Sequence, residues 1–587
     1  MQTLFFIYKH YGKYKWYILP LGIFGFISSL LGGIGIGAVI PLLSLLMDGR
    51  ASSTDKVSVF IANLFTYVPF GFTIYSVLIL IILSFLVRAV VLFIFGFFRN
   101  RLILDYKRRT LNELFRALLH ARWDHLLSKK VGHMQNYFFR DVEKSTDLLD
   151  AISYIPFALI NIMIFLGFAL IISPQITALT FVFGVMTVGI SRPLLYRLKR
   201  ANTILAAQNK NVSHFLIEHF IGIKSIKAGA REDQVQERAE NTFFTWCRVE
   251  FRSKILSFMN KNFFEPLSII FVAGIIVISY STPDFSIQSF AVTLLLVQRI
   301  FVYIQHAQNA FSGLIDALPY AKQVIEFKES LGASAEVVSG KKHFEFNRTL
   351  AFRNVFFSYT PDKKALSSVS FSIQKGNIVG LIGPSGAGKT SVVDLLLRLF
   401  DPDSGAVLLD DYDAREFHLQ EWRSHFGYVA QDAFLLNDTI AQNIRFYNDA
   451  LTQSEIIDAA RHANIYDHIM SLKDGFDTKI GDRGIMVSGG QRQRIVLART
   501  LAQKPSLLIL DEATSALDNE SENLIQKAIR DLKGKVTVVI IAHRLSTVVD
   551  VDHLLVLQNG KITEEGKPED LLQKKDSYFY RMYHVKE

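Results

Sequence analysis

Two groups of residues carry the chemistry of this chain. The first, Gly383-Pro384-Ser385-Gly386-Ala387-Gly388-Lys389-Thr390, satisfies G-x-x-x-x-G-K-[ST] in full. Glycines here let backbone N–H groups close on phosphate oxygens, Lys389 brings a point charge to the β- and γ-phosphates, and Thr390 offers a hydroxyl to Mg²⁺. Ser391 follows directly and belongs to the same run. The second group is Asp511-Glu512, at the end of the apolar run Leu507-Leu508-Ile509-Leu510. Asp511 is suited to hold Mg²⁺ through water, and Glu512 to take a proton from a water attacking the γ-phosphate. Together they predict a nucleoside-triphosphate site.

A phosphate loop needs a strand before it and a helix after it. Val379–Ile382 reads as a buried strand and Val392–Phe400 as a helix. Leu350–Tyr359 and Ser367–Ile373 form an early β-rich part, a helical insertion runs from about Leu419 to Ala498, and buried strands follow at Ser506–Asp511 and Val536–Ile541. The alternation predicts an α/β domain over 348–587 with a mostly parallel, doubly wound sheet, whose strand ends at one edge receive ligands. Residues 328–347, with Gly332, Ser334 and Gly340-Lys341-Lys342, read as a linker.

The rest of the chain is of another kind. At 587 residues it exceeds one core. Half of it is hydrophobic, with 48 Phe, so the apolar excess points to a membrane. The net charge of +10 would suit nucleic acid, but Lys and Arg fall between apolar spans, where they orient a membrane protein; no nucleic-acid partner is expected. A single cysteine, Cys247, excludes an intrachain disulfide and any multi-cysteine metal site. No small-residue cleavage site follows the first apolar run, which is read as a retained span.

Crossing about 30 Å of hydrocarbon takes roughly 20 residues. Six spans answer to this within residues 1–327: 16–47, 70–98, 151–172, 175–191, 263–281 and 287–311. Ser173-Pro174-Gln175 and Ser281-Thr282-Pro283-Asp284 mark outer turns, and Val57–Val68 is an amphipathic piece suited to the outer surface. The basic stretches Arg99–Asp150 and Ser191–Asn260 belong inside, with both termini and the α/β domain in the cytosol.

With these residues in view the α/β domain resembles the ATP-binding cassette family. Val487-Ser488-Gly489-Gly490-Gln491 is similar to the family signature, with Val at a packing position where Leu is usual. By the same resemblance Tyr359 is the aromatic that stacks on adenine, Gln431 the loop glutamine that reaches Mg²⁺, Ser515-Ala516-Leu517-Asp518 the loop joining two cassettes, and His543 the switch histidine at the γ-phosphate. Asp482, in Gly481-Asp482-Arg483-Gly484, stands where exporters prefer Glu. Six spans before one cassette resembles an exporter-type half-transporter. The resemblance implies a multi-domain membrane protein: an all-α six-helix transmembrane domain with long cytosolic helical extensions, then an α/β P-loop cassette. It further implies ATP and Mg²⁺ as cofactors, catalysis by Glu512, His543 and Lys389, and coupling helices around Arg122–Lys130 and Ile217–Ala230. Ser488 and Gly490 of one chain would complete the site of another, so a homodimer is expected, in a bacterial inner membrane and among its lipids. An ATP-gated channel or regulator of the same family is the alternative.

Polar residues inside the spans bear on the cargo. An arginine at a helix centre costs about 2.5–3.5 kcal/mol, so it faces a cavity or a partner. Arg299, beside Gln298 in the sixth span, is expected to line a cavity or else to bond a neighbouring helix; Arg88 in the second either snorkels or joins it. Lys261 reads as an inside anchor or an i,i+4 partner of Glu265. The pattern is similar to lipid-linked oligosaccharide flippases and implies an amphiphilic cargo with an anionic head.

Overall fold

The computed structural model describes residues 2–47, 72–129, 131–262, 264–280, 287–337, 340–481, 486–513, 519–542, 544 and 547–584. The amphipathic piece Val57–Val68, the turn Ser281–Asp284 and the ends of the expected spans at 70 and 263 lie outside them. The chain forms two units, Met1–Ala121 with His125–Ala335, and Glu336–Glu587 with Arg122–Asp124.

The first unit is helical, and among the described residues six helices are long and apolar enough to cross a membrane. The first is interrupted: Lys15–Gly37 ends at Ala38, and Val39–Met47 resumes. The second, Ile74–Leu119, starts on a capping box in which Thr73 and Ser76 satisfy each other's backbone N–H groups. Its 46 residues extend about 70 Å, more than twice the hydrocarbon thickness, so its basic half continues past the apolar zone as one rod. Val142–Ile172 and Pro174–Ile221 follow, with Pro174 at the first helical turn, where its missing N–H costs nothing. The short helices Trp123–Leu127 and Ile223–Ala228 occupy the two stretches expected to couple the domains. Glu232–Asn262 carries the exposed Cys247, and Phe264–Tyr280 supplies the fifth span.

The sixth helix, Ile287–Ala333, takes up the first six residues of the expected linker. It does so because Leu314, Leu318, Ala321, Val324, Phe327 and Leu331 are all buried at helical spacing. Beyond it the chain is not loose. Glu336 accepts both ends of the Arg423 guanidinium at 2.8 Å, and Phe344 is buried.

Spans one and three pack through small residues. A Cβ on Gly25 would lie 3.0 Å from the Phe157 ring, and one on Gly33 would overlap the ring of Phe168. Close backbone approach substitutes here for the hydrophobic drive that lipid cannot supply.

The second unit holds two sheets. An antiparallel one has the order β2 (Lys363–Gln374), β1 (Thr349–Thr360), β4 (Ser404–Leu409), β5 (Tyr412–Asp413). The other runs β10 (Lys561–Gly566), β9 (His553–Gln558), β3 (Ile378–Ile382), β8 (Thr537–Ile541), β7 (Leu507–Asp511), β6 (Phe426–Val429). All neighbours in it are parallel except β10 with β9. β3, β7 and β8 are buried at every position, as strands covered on both faces must be. β6 corrects the expectation of a wholly helical insertion: its four residues are too few to show a period, and pairing with β7 makes them a strand.

Replacing Gly33 by Val drives a branched side chain into Phe168. We expect a loss of about 1–3 kcal/mol, read as a lower thermal midpoint in detergent. Gly167→Ala, where a Cβ meets nothing within 4 Å, leaves the midpoint within error.

Candidate active site

Three neighbouring strands end on one row. Leu381 of β3 lies opposite Ile541 of β8, and Ile541 opposite Asp511 of β7. The phosphate loop therefore leaves the sheet beside the two carboxylates, at the edge where parallel sheets receive ligands. On the far side Val429 of β6 lies opposite Leu510, which brings Gln431 level with Glu512. The Gln431 amide donates through Nε2 to Glu512 Oε2 at 2.9 Å.

Within the loop Gly383, Gly386 and Gly388 take φ of +152°, +78° and +107°. A Cβ on Gly383 would strike the carbonyl of Leu557 and one on Gly388 would lie 2.7 Å from that of Ala365, whereas at Gly386 the space is open. Pro384, Ser385, Gly386 and Thr390 are exposed, Ala387 and Ser391 buried. Lys389 is only 6 % exposed, and its Nζ donates to the carbonyls of Gly383 at 2.9 Å and Pro384 at 3.1 Å. Burial draws its pKa below the usual lysine value, against the pull of Glu512 and Asp511. The helix then begins at Lys389 and ends at Leu396, earlier at both ends than the sequence pattern placed it, because the left-handed Gly388 is its N-cap.

Asp511 is buried, which pushes its pKa up, while a hydrogen bond from Tyr428 Oη at 3.3 Å opposes the shift. Glu512 sits at φ +51°, a left-handed conformation that costs a non-glycine residue on the order of 1–3 kcal/mol, and its N–H donates to Ile541 O at 3.0 Å. Tyr359 donates to Asp394 Oδ2 at 2.6 Å and accepts from Ser391 Oγ at 3.1 Å, so its ring is tied to the loop helix. Tyr428 and Asp394 went unnoticed in the sequence, where nothing marks them.

A triphosphate fits these residues: a cradle open at Gly386, a lysine held over it and an exposed hydroxyl at Thr390. The donor set for a cation is all oxygen, namely the Thr390 hydroxyl, the Asp511 carboxylate and the amide oxygen of Gln431, whose nitrogen is taken by Glu512. Hard oxygen donors in a phosphate site suit Mg²⁺.

Ser488 is the N-cap of the helix Gly489–Ala502, closed by a capping box with Gln491. Val487 is buried in the core, Gly490 is buried beneath the turn, and Ser488 is exposed with open space at Gly489. The other end of this helix holds a second arrangement that sequence reading missed. Arg499, 8 % exposed, donates to the carbonyls of Asn443 and Phe434, both at 2.7 Å, and to Asn443 Oδ1 at 2.9 Å. Asn443, fully buried, grips Leu436 and Thr439 in turn. The signature helix thus clasps the segment that follows Gln431. The available signal was one arginine inside the apolar run Ile495–Ala502. His543, Ser515–Asp518 and Asp482–Gly484 lie outside the described residues.

In the membrane unit the two arginines differ in burial and partners. Arg88 does not snorkel: it is 6 % exposed, donates to Tyr303 Oη at 2.8 Å and lies 3.4 Å from Ser28 Oγ. Arg299 is half-buried and makes no hydrogen bond or ion pair with the described residues. Lys261 forms no pair with Glu265; its carbonyl accepts from Gln305 at 2.9 Å.

A family model described as "ABC transporter" matches residues 366–515, and one described as "ABC transporter transmembrane region" matches 22–301. The "Heterocyst differentiation ATP-binding protein HepA" of Nostoc sp. is 29% identical over 98% of this chain and 95% of its own. The "Putative multidrug export ATP-binding/permease protein YgaD" of Bacillus subtilis is 32% identical over 76% and 78%. A solved structure of "a bacterial Atm1-family ABC exporter with ATP bound" shares the fold, with a TM-score of 0.79 over 97% of both chains at 23% identity.

Arg499→Ala leaves the buried carbonyl of Asn443 without its donor, about 1–3 kcal/mol, and frees that of Phe434 at the more open end of the clasp. We expect a fall of several degrees in the thermal midpoint and only partial recovery with Arg499→Lys, which lacks the planar fork. An unchanged midpoint in the alanine variant refutes the clasp.

Proposed function

As this chain belongs to the ABC transporter family, an exporter-type half-transporter that couples ATP binding and hydrolysis to movement of a substrate across a membrane, we propose that it works as a homodimer with two composite ATP sites. The reading rests on one observation: Lys389, Asp511, Glu512 and Gln431 meet at one sheet edge, with the amide of Gln431 on the carboxylate of Glu512. In it Glu512 is the general base, Lys389 and the loop amides bind the β- and γ-phosphates, Tyr359 stacks on adenine, and His543 contacts the γ-phosphate. Thr390, Gln431 and Asp511 hold Mg²⁺, which when bound neutralises charge on the phosphate oxygens. Ser488 and Gly490 serve the partner's nucleotide, since a capped helix N-terminus with an exposed hydroxyl is suited to phosphate. The cassette and both termini face the cytosol of a bacterial cell. The cargo is an amphiphile, exported or flipped by alternating access, and the multidrug export named for the Bacillus relative supports that class. Its anionic head is met by Arg299, which is half-buried and unpaired among the described residues, whereas Arg88 is held by Tyr303 and Ser28.

Glu512→Gln keeps shape and hydrogen bonding and loses the proton acceptor. Hydrolysis should fall about 10²–10⁴-fold with ATP binding retained, measured in proteoliposomes beside Lys389→Ala, which loses binding as well. Equal turnover in Glu512→Gln and the parent removes Glu512 from the base role. Uptake of cargo against a gradient separates a pump from an ATP-gated channel.

A further inference from the structure

The first two spans line an open groove of about 1390 Å³ to which the reading above assigns no role. Its wall is aromatic, with Trp16 and Phe24 from one helix and Phe93 and Phe97 from the other. Phe24 stacks on Phe98 at 6.0 Å, which closes the floor. Its mouth is basic. Arg101, Arg108 and Arg109 stand there with a single acid, Asp105, whose two oxygens are shared between Arg108 at 2.9 Å and Arg109 at 2.7 Å. Arg101 is exposed and makes no ion pair or hydrogen bond with the described residues. Three guanidinium groups against one carboxylate leave a net charge of +2 at the mouth, and Lys15 adds an ammonium over the Trp16 ring at 5.6 Å.

We infer that this groove binds one anionic glycerophospholipid of the adjoining leaflet, an acyl chain on the aromatic wall and the phosphate among Arg101, Arg108 and Arg109. Trp and Tyr beside Lys and Arg mark the headgroup level of a membrane helix, and Trp16 and Tyr17 lie on the first helix where Arg101 lies on the second. A basic pocket between spans at that level is the arrangement that selects charged over zwitterionic lipid. A small soluble anion has no use for the aromatic wall, and an acyl chain has. Neither Arg299, to which the reading above gives the cargo's head, nor Arg88 lines this groove, so the inference does not rest on that reading.

The test is native mass spectrometry of the full-length protein in mild detergent, titrated with phosphatidylglycerol or phosphatidylcholine of the same chains. We expect phosphatidylglycerol to remain bound under activation that strips phosphatidylcholine. Each of Arg101→Gln and Arg108→Gln should weaken its retention roughly fivefold, since each charge near the surface is worth about one fivefold step. Both side chains are exposed, and an unchanged thermal midpoint checks that the variants fold. Equal retention of the two lipids by the parent overturns the inference, as does full retention by the double variant. Competition by inorganic phosphate at the lipid's own concentration means that an anion alone is bound and overturns it too. Cross-linking of Gly96→Cys to the same position of another chain, in a Cys247→Ser background, means that a second copy covers the groove and overturns the inference as well.

Discussion

The register of three parallel strands is the constraint on which the nucleotide site depends. With Leu381, Ile541 and Asp511 on one row, the turns that leave β3, β8 and β7 start from the same level. Residues 130 apart in sequence then face a common crevice without any long side chain having to reach. A slip of one residue in β7 would turn Asp511 to the opposite face and take Glu512 away from Gln431. Complete burial of β3, β7 and β8 opposes such a slip, so the same apolar packing that stabilises the sheet sets the catalytic geometry.

A different constraint shapes the membrane unit. Lipid rewards close packing and satisfied polar groups more than apolar character, and the first span meets both demands on one stripe. Ser28, Ser29, Gly32 and Gly33 are buried there. The small residues admit the rings of Phe165 and Phe168 and the guanidinium of Arg88, whose Nη1 lies 2.7 Å from where a Cβ on Gly32 would stand. A charge is thereby accommodated among three helices by a hydroxyl from Tyr303 and one from Ser28.

Much of this was legible in the sequence because the signals were dense. The phosphate loop, the Asp511-Glu512 strand end and the Ser488-Gly489-Gly490-Gln491 run each carry several constrained positions in a fixed order, and the long apolar spans can do little but cross a membrane. Where the signal is sparse, the sequence is silent. Four residues of β6 show no period, and only their pairing with β7 sets them apart from the surrounding helices. The end of the sixth helix was hidden by its Lys and Glu content, although its buried leucines kept helical spacing. For Arg88 the sequence leaves snorkelling and burial open, because burial is decided by which side of the helix faces the bundle, and only its neighbours reveal that. Arg499 escaped notice because its partners are backbone carbonyls, which leave no trace in residue types.

The lone thiol has a practical consequence. Cys247 is exposed on the helix Glu232–Asn262, next to Trp246, whose indole N–H is fixed on Asn209 Oδ1 at 2.7 Å. A nitroxide or fluorophore attached there needs no engineered background, and in a twofold assembly it yields one inter-label distance per particle. The purified native chain therefore carries its own spectroscopic ruler, mounted beside an anchored side chain, with which changes between nucleotide states are readable without substitution.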